Sequence, residues 1–456
     1  MELVLFGILG ASIISIIFIL VYTYGSYNWL EKLGLSIVIS LPFERIPSIE
    51  IGGANLRISQ VLVIISTITF CALIFKKDKV LMSKNHQIEW WVGIGFFVFS
   101  IPSWFMITDV KRFLVTMIAT VLCFGATFFV SLTTTSKNIF SRIQVSVTVL
   151  FFTSVFGVYQ FFGDLVGVSP QFTGLREQYT KAVFGIPRIQ STAIEPLYYA
   201  GMLYIPILFL VITLLGSPKN QTTRYTALSK LTFFTIIFLL TISKGASAIL
   251  LIVTIGIIII GRNQFNIREL VMKMLGFFAT VITSIIGLFQ FYEPSRPTIL
   301  DITGNALSTL GLESGSSAER LDFVQRALDL LPNNIITGIG SGQFGVLAKN
   351  AFKADSSFII VNNVYLEVWL EMGILSLIMF VSFLIIPVCV SSIKLAEETN
   401  WKTQENISRI TLIGSLIAYY VQWNTFSPIF IMPIFILIGL LSGLETNIIK
   451  EKTQYE

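Results

Sequence analysis

The stretch "GIPRIQSTAIEPLYYAG", Gly185–Gly201, stands at the threshold of a long apolar run. It sets an arginine, a glutamate and two tyrosines where the chain turns hydrophobic. Pro196 suits the first turn of a helix, which puts Glu195 at that helix's N-terminus, where a carboxylate is favoured. Yet a charge taken into lipid costs on the order of 2.5–3.5 kcal/mol, so Glu195 calls for a facing partner. The run behind it is one of many. A bilayer core is crossed by roughly 20 apolar residues. Runs of that size begin near Leu3, Leu56, Trp90, Phe113, Phe140, Ile194, Leu228, Leu270, Val364, Ile407 and Phe426, with shorter ones at Leu33–Pro42 and Gly245–Ile260. The sequence predicts an all-α polytopic membrane protein, one domain over residues 1–456, with about 12–13 transmembrane helices. Leu33–Pro42 reads as either a full span or a half-helix.

Composition agrees. Only 12% of the residues are charged and 54% are hydrophobic, whereas a soluble domain is nearer a quarter charged. The mean hydropathy is +0.79. The run Leu3–Val21 lacks a basic leader and a small-residue cleavage site, so it reads as a span. Net charge of +5 fits cytoplasmic loops and gives no reason to expect nucleic acid as a partner. Cys71, Cys123 and Cys389 lie far apart in apolar runs and read as core hydrophobes. His86 is the single histidine. No His/Cys cluster has zinc spacing, so neither a metal site nor a cofactor is expected.

The loops sort by charge. Lys76, Lys77, Lys79 and Lys84 crowd one connection. Lys137 with Arg142, Lys219 with Arg224, Arg262 with Arg268, and Lys394 with Lys402 occupy alternate ones, and Lys450 and Lys452 end the chain. By the positive-inside rule these are cytoplasmic. Gly163–Thr192 and Tyr292–Val361 then lie outside, and both are too long for simple turns. Within the second, "SSAERLDFVQRALDLLPNN" carries Ser316 and Glu319 at capping-box spacing and stops at Pro332. Leu321, Val324, Leu328 and Leu331 recur at helical spacing, which predicts an amphipathic helix at the outer membrane–water boundary.

Charged residues gather on that outer side. Arg188 and Glu195 precede one span, "SKGASA" puts Lys244 in a short outer turn, and Arg320 heads the loop helix. In "VNNVYLEVWLEMG", Asn363, Glu367 and Glu371 fall at i, i+4 and i+8, one polar stripe on a helix. Interfacial anchoring is an alternative for Arg188, Lys244 and the tyrosines, and a structural role for Glu371. "TGIGSGQFG", Thr337–Gly345, follows no strand and reads as a turn that lets backbone approach a substrate, not as a phosphate loop. Arginine suits a two-point grip on a diphosphate, and lysine adds a point charge.

In order, these motifs resemble the O-antigen polymerase and ligase superfamily, the Wzy-type membrane glycosyltransferases with a GT-C-like architecture. The resemblance is carried by "LPFERI…LRISQVLVI", "PRIQSTAIEP", "TISKGASAILL", "RLDFVQRALDLLPNNIITGIGSGQF" and "NNVYLEVWLEMGILSLIMF", from about Leu41 to Phe380. It implies a bacterial plasma-membrane enzyme that acts, without a metal ion, on undecaprenyl-diphosphate-linked oligosaccharide at the extracytoplasmic face. A flippase and a chain-length regulator are the partners it implies, beside membrane lipid. Arg188, Lys244 and Arg320 would hold the diphosphate. Glu195, or secondly Glu367, would activate the acceptor hydroxyl, and Tyr198, Tyr199, Asn362, Asn363 and Tyr365 would contact sugar. Ligases of the superfamily carry His before Asn where this chain has Asn362–Asn363, so a polymerase is expected ahead of a ligase. A transporter of small anions or glycans is the alternative of another class, and it would favour charges near the membrane midplane. Single cysteines should therefore react with an impermeant thiol reagent on intact cells in Tyr292–Val361 but not in Lys76–His86. The reverse pattern would invert the orientation.

Overall fold

The computed structural model describes residues 29–51, 54–75, 84–216, 221–262, 264, 315–352, 360–427 and 430–446. The expected spans from Leu3 and Leu270, the loop 76–83 and parts of the outer loop (292–314 and 353–359) lie outside the described residues. The chain begins with α1 (Trp29–Ile39), a hairpin of β1 (Ser48–Ile51) and β2 (Ala54–Arg57), α2 (Ile58–Phe75), α3 (Lys84–Trp104), α4 (Val110–Thr133) and α5 (Ile139–Leu165). After the first outer segment come α6 (Pro196–Leu215), α7 (Gln221–Leu240) and α8 (Lys244–Ile260). The outer loop holds α9 (Gly315–Leu330) and α10 (Phe344–Phe352). Then follow α11 (Val364–Met372), α12 (Ile374–Glu397), α13 (Gln404–Gln422) and α14 (Met432–Thr446).

The all-α reading holds, apart from the antiparallel hairpin pairing Ser48 with Arg57. By length and apolarity α4, α5, α6 and α12 can each cross a membrane, and α8 is among the shorter apolar helices. The protein is thus a multi-pass membrane protein. The helix that Pro196 opens sits at the centre, with 83% of its apolar window buried. The corresponding window of α12 is only 33% buried. Its Ile378, Ile385 and Ile393 are exposed along one face, as are Leu114, Ile118 and Val121 on α4. Such stripes suit lipid, not water. Phenylalanines fasten α3, α4, α12 and α14 together: Phe124 stacks on Phe96 at 5.3 Å and meets Phe383 at 4.6 Å and Phe435 at 5.3 Å. Cys123 is buried as expected, but Cys389 is exposed on α12.

Three expectations are corrected by packing. The run from Val364 is not one helix. It breaks at Gly373 (φ +87°), where an added Cβ would stand 2.0 Å from the Ile336 carbonyl oxygen. The outer loop crosses there, and Ile374 donates its N–H to the Ile335 carbonyl at 2.9 Å. Secondly, α9 begins at Gly315, before the expected cap Ser316, and its buried face runs through Ala327 and, in the following turn, Leu331. Leu321 and Leu328 are exposed, as a helix with an apolar face toward a membrane boundary allows. Thirdly, Arg142 is no loop charge. It is 1% exposed and donates to the Thr133 carbonyl at 2.7 Å, closing the C-terminus of α4.

The glycine-rich turn serves the protein's own packing. A Cβ at Gly342 would meet Thr116 Oγ1 at 2.7 Å. Gln343 Oε1 accepts from the Thr108 hydroxyl at 2.8 Å and the Asp109 N–H at 2.9 Å, clamping the turn to the start of α4. Glu371, 4% exposed, accepts from the N–H groups of Gly342 at 2.6 Å and Phe344 at 3.1 Å, at the entry to α10. Its structural alternative is therefore the one the contacts support. Glu371→Ala would strand two buried donors, each of which costs about 1–3 kcal/mol. It should lower the melting temperature in detergent, with Glu371→Gln intermediate. Equal melting of all three proteins would show that this clamp contributes nothing.

Candidate functional site

The outer segment between α5 and α6 is held by arginines at both of its ends. Arg45 donates to the Gly174 carbonyl and to Gln190 Oε1, each at 2.9 Å. Arg188 donates from Nε to the Thr241 carbonyl at 3.1 Å and from Nη2 to the Ile242 carbonyl at 3.4 Å. Those carbonyls follow the C-terminus of α7, where a cation meets the negative end of the helix dipole. The Arg188 guanidinium also lies 5.8 Å from the centre of the Tyr179 ring. Main-chain bonds repeat the tie: Ile189 donates to the Leu240 carbonyl at 3.1 Å and Arg188 to the Tyr179 carbonyl at 2.9 Å.

This bracing delivers Glu195 to the mouth of α6. The residue is the N-cap in extended conformation (φ −144°, ψ 158°), yet its side chain makes no capping bond. Its carboxylate faces cations instead. Burial raises the Glu195 pKa, and the charges of Arg320, Arg176 and Arg188 pull it back down. Burial lowers the Arg188 pKa, opposed by Tyr179 and Glu195. The facing partner that the sequence called for is therefore a group of arginines. Arg320 comes from the outer loop; it is exposed and reaches the Thr425 carbonyl at 3.5 Å. Two segments far apart in sequence, 176–195 and the start of α9, thus contribute charges that act on one carboxylate.

Arg176 was not singled out from the sequence. It sits in "GLREQY", where no helical periodicity marks it, and the one available signal was its place in the outer segment. Its N–H donates to Gln190 Oε1 at 3.3 Å, the atom that also accepts from Arg45. Lys244 is exposed at the first turn of α8, two residues past Ile242. It adjoins the Arg188 contact but is not among the charges acting on Glu195.

The remaining candidates divide. Glu367 is buried on α11 beside Ser427. Asn363 is the N-cap of α11, accepting from the Leu366 N–H at 3.0 Å, and Asn362 takes the left-handed conformation at φ +62°. Tyr365 donates its hydroxyl to the Tyr420 carbonyl at 2.8 Å. Tyr199 is 0% exposed and its hydroxyl pairs with Ser154 Oγ at 2.8 Å, well inside the core. Tyr198 lies between the two halves: it donates to the Ser427 carbonyl and feels the charges of both Glu195 and Glu367. Among the described residues no group of three His, Cys, Asp or Glu is placed to hold a metal ion.

Comparison with known families gives one result. Residues 231–381 match the Wzy_C family, described as O-Antigen ligase. No curated protein matches the chain. The match runs from α7 into α12 and includes Lys244, Arg320, Asn362, Asn363, Tyr365 and Glu367, while Arg188 and Glu195 precede it. Wzy_C proteins are glycan-transferring membrane enzymes of polysaccharide biosynthesis, of ligase or polymerase type, and residues 231–381 of this chain are similar to them.

A reaction that needs the Glu195 carboxylate ionised loses rate as pH falls through its raised pKa. Removing a cation that pulls this pKa down must raise it further. Arg176→Gln should therefore move the acid limb of the pH–rate profile to higher pH. A limb that stays in place would separate Arg176 from Glu195.

Proposed function

We propose that the protein is a polysaccharide polymerase that joins undecaprenyl-diphosphate-linked oligosaccharide repeat units at the extracytoplasmic face of the bacterial plasma membrane. The single observation that supports this most is a half-buried carboxylate, Glu195, uncommitted to its helix cap and facing Arg176, Arg188 and Arg320. The arginines suit the donor diphosphate through paired hydrogen bonds and stabilise the charge that develops as it departs. Lys244 joins them from the N-terminus of α8, where a cation opposes the helix dipole until an anion sits nearby.

The acceptor sugar hydroxyl gives its proton to Glu195, and its oxygen attacks the anomeric carbon of the donor. The bond from that carbon to the diphosphate oxygen breaks, and undecaprenyl diphosphate leaves with the electron pair. Glu195 then releases the proton to solvent. Diphosphate is a good leaving group, so the arginines supply the charge stabilisation without a metal ion. Glu367 is the second candidate for the base, and Tyr198 is an aromatic group on which the charges of both carboxylates act. Asn362–Asn363 stands where the superfamily's ligases carry His-Asn, which favours polymerisation over transfer to a separate acceptor. A flippase would supply the substrate and a chain-length regulator would set when elongation stops.

Glu195→Gln keeps shape and one acceptor oxygen but removes the base. Loss of a general base lowers rate by about 10²–10⁴, so single repeat units should accumulate on lipid while the folded protein stays in the membrane. Arg188→Lys should also impair elongation, because an ammonium cannot reproduce a planar two-point grip. Near-normal polymer from a folded Glu195→Gln protein would remove Glu195 from this role and leave Glu367.

A further inference from the structure

Behind Glu195 lies a second buried carboxyl that the transfer step leaves unused. Glu44 belongs to the turn after α1, and that turn is stapled to the segment leading into Glu195. Thr192 donates from Oγ1 to the Pro42 carbonyl at 2.7 Å, and Arg45 donates its N–H to the Thr192 carbonyl at 2.9 Å. Between these two bonds sits Glu44, 2% exposed, with neither carboxyl oxygen in a hydrogen bond. It faces the charge of Arg57, and its own charge acts on Tyr198 and Tyr419.

Unpartnered polar atoms continue inward from there. Glu367 Oε2, Tyr419 Oη and Gln422 Oε1 are likewise buried without a partner. All three border the start of α6. Gln422 donates to the Leu197 carbonyl at 3.0 Å, and Tyr419 packs on Gly201, where an added Cβ would lie 2.6 Å from its ring. Glu367 lies beside Ser427, whose carbonyl takes the Tyr198 hydroxyl. Every such atom destabilises the fold, and apolar side chains of like size would pack better. Rules of this kind are broken where function requires it.

The chemistry of the cluster is specific. Carboxyl, phenol and amide groups offer both donors and acceptors, which is what sugar hydroxyls match. Burial pushes the Glu44 carboxyl up to about 7, against the pull of Arg57, so it can serve as donor as well as acceptor near neutral pH. The arginine cluster beside it offers only donors and positive charge, which match a diphosphate. We propose that Glu44, with Glu367, Tyr198, Tyr419 and Gln422, forms the subsite that takes hydroxyl groups of the acceptor saccharide. The assignment rests on the transfer reaction proposed above and gives that reaction its second substrate site. Trp423–Ser427 covers the subsite: the Phe426 ring lies 4.9 Å from that of Tyr198, and Arg320 reaches the Thr425 carbonyl at 3.5 Å, the limit of a hydrogen bond.

The test uses the full chain in nanodiscs. Lipid-linked repeat units from the producing cells serve as donor, and a soluble repeat-unit oligosaccharide without lipid or diphosphate is the added acceptor. Glu44→Leu should melt at or above the wild-type temperature and still be stabilised by undecaprenyl diphosphate. Its KM for the soluble acceptor should rise about tenfold, the order expected for a lost hydrogen bond in a buried site, with Glu44→Gln between the two. A lowered melting temperature in Glu44→Leu would make the residue structural and overturn the proposal. An unchanged KM in a folded Glu44→Leu protein would overturn it equally. Wild-type protein that elongates nothing but moves glycan to another acceptor would defeat the polymerase reading alone, because Glu44→Leu is then scored on that acceptor.

Discussion

A polar group held at membrane depth must find a partner inside the protein, because lipid offers none. This constraint organises both ends of the helix bundle, and arginine is the residue that meets it. Arg142 closes the C-terminus of α4 through the Thr133 carbonyl. Arg409, 1% exposed, joins α13 to α14 through Glu445 at 2.9 Å, where Lys394 from α12 adds a bond at 2.7 Å. Arg45 and Arg188 do the same work at the opposite end, where they brace the segment before α6. The guanidinium's planar fork lets one side chain answer two acceptors, which is why lysine does not replace it at these places. One end of the bundle is thereby locked by buried ion pairs. The other is held by arginines that bond to backbone carbonyls, with carboxylates lying nearby uncommitted. That asymmetry supports placing the proposed chemistry at the second end.

The outer loop belongs to the site and does not merely cover it. Glu371 and Gln343 fix its glycine-rich turn to α11 and to the start of α4. The crossing at Gly373 fixes its path beneath the mouth of α12. Arg320 is carried in on α9, whose buried face packs through Ala327 and, just beyond its end, Leu331. Leu321 and Leu328 of the same helix are exposed, on the apolar side that an interfacial helix would turn to lipid.

Much of this was legible in the sequence because it follows from single, strong physical costs. Apolar length announced α4, α5 and α6 and the run that holds α12, and the expense of a charge near lipid announced that Glu195 would need a facing partner. The pattern could not announce which cations. Arg176 lies in an irregular segment whose path is set by Arg45 and Gln190, and no spacing records that contact. Packing also overrode periodicity. The run from Val364 reads as one span, yet it breaks at Gly373 where another backbone crosses it. Glu44 was hidden for a further reason: in "LPFERI" it reads as the polar end of a short hydrophobic run, and only the fold shows it buried without a partner.

The two halves of the site carry different information about the reaction. In the proposed reaction the guanidinium groups around Glu195 would recognise charge, and any lipid diphosphate would satisfy them whatever sugar it bears. The hydrogen-bonding groups behind Tyr198 would recognise the arrangement of hydroxyls, and they would decide which molecule accepts the glycan. The distinction between a polymerase and a ligase therefore lies in the second half, because both enzymes share the donor. In this chain that half is built from carboxyl, phenol and amide groups set within the helices, and Asn362 and Asn363 stand at its approach where the ligases place histidine. Asn363 is already occupied as the cap of α11. In the proposed reaction the base is then a carboxylate, and Glu195, with the charges of Arg176, Arg188 and Arg320 acting on it, is the one best placed to serve.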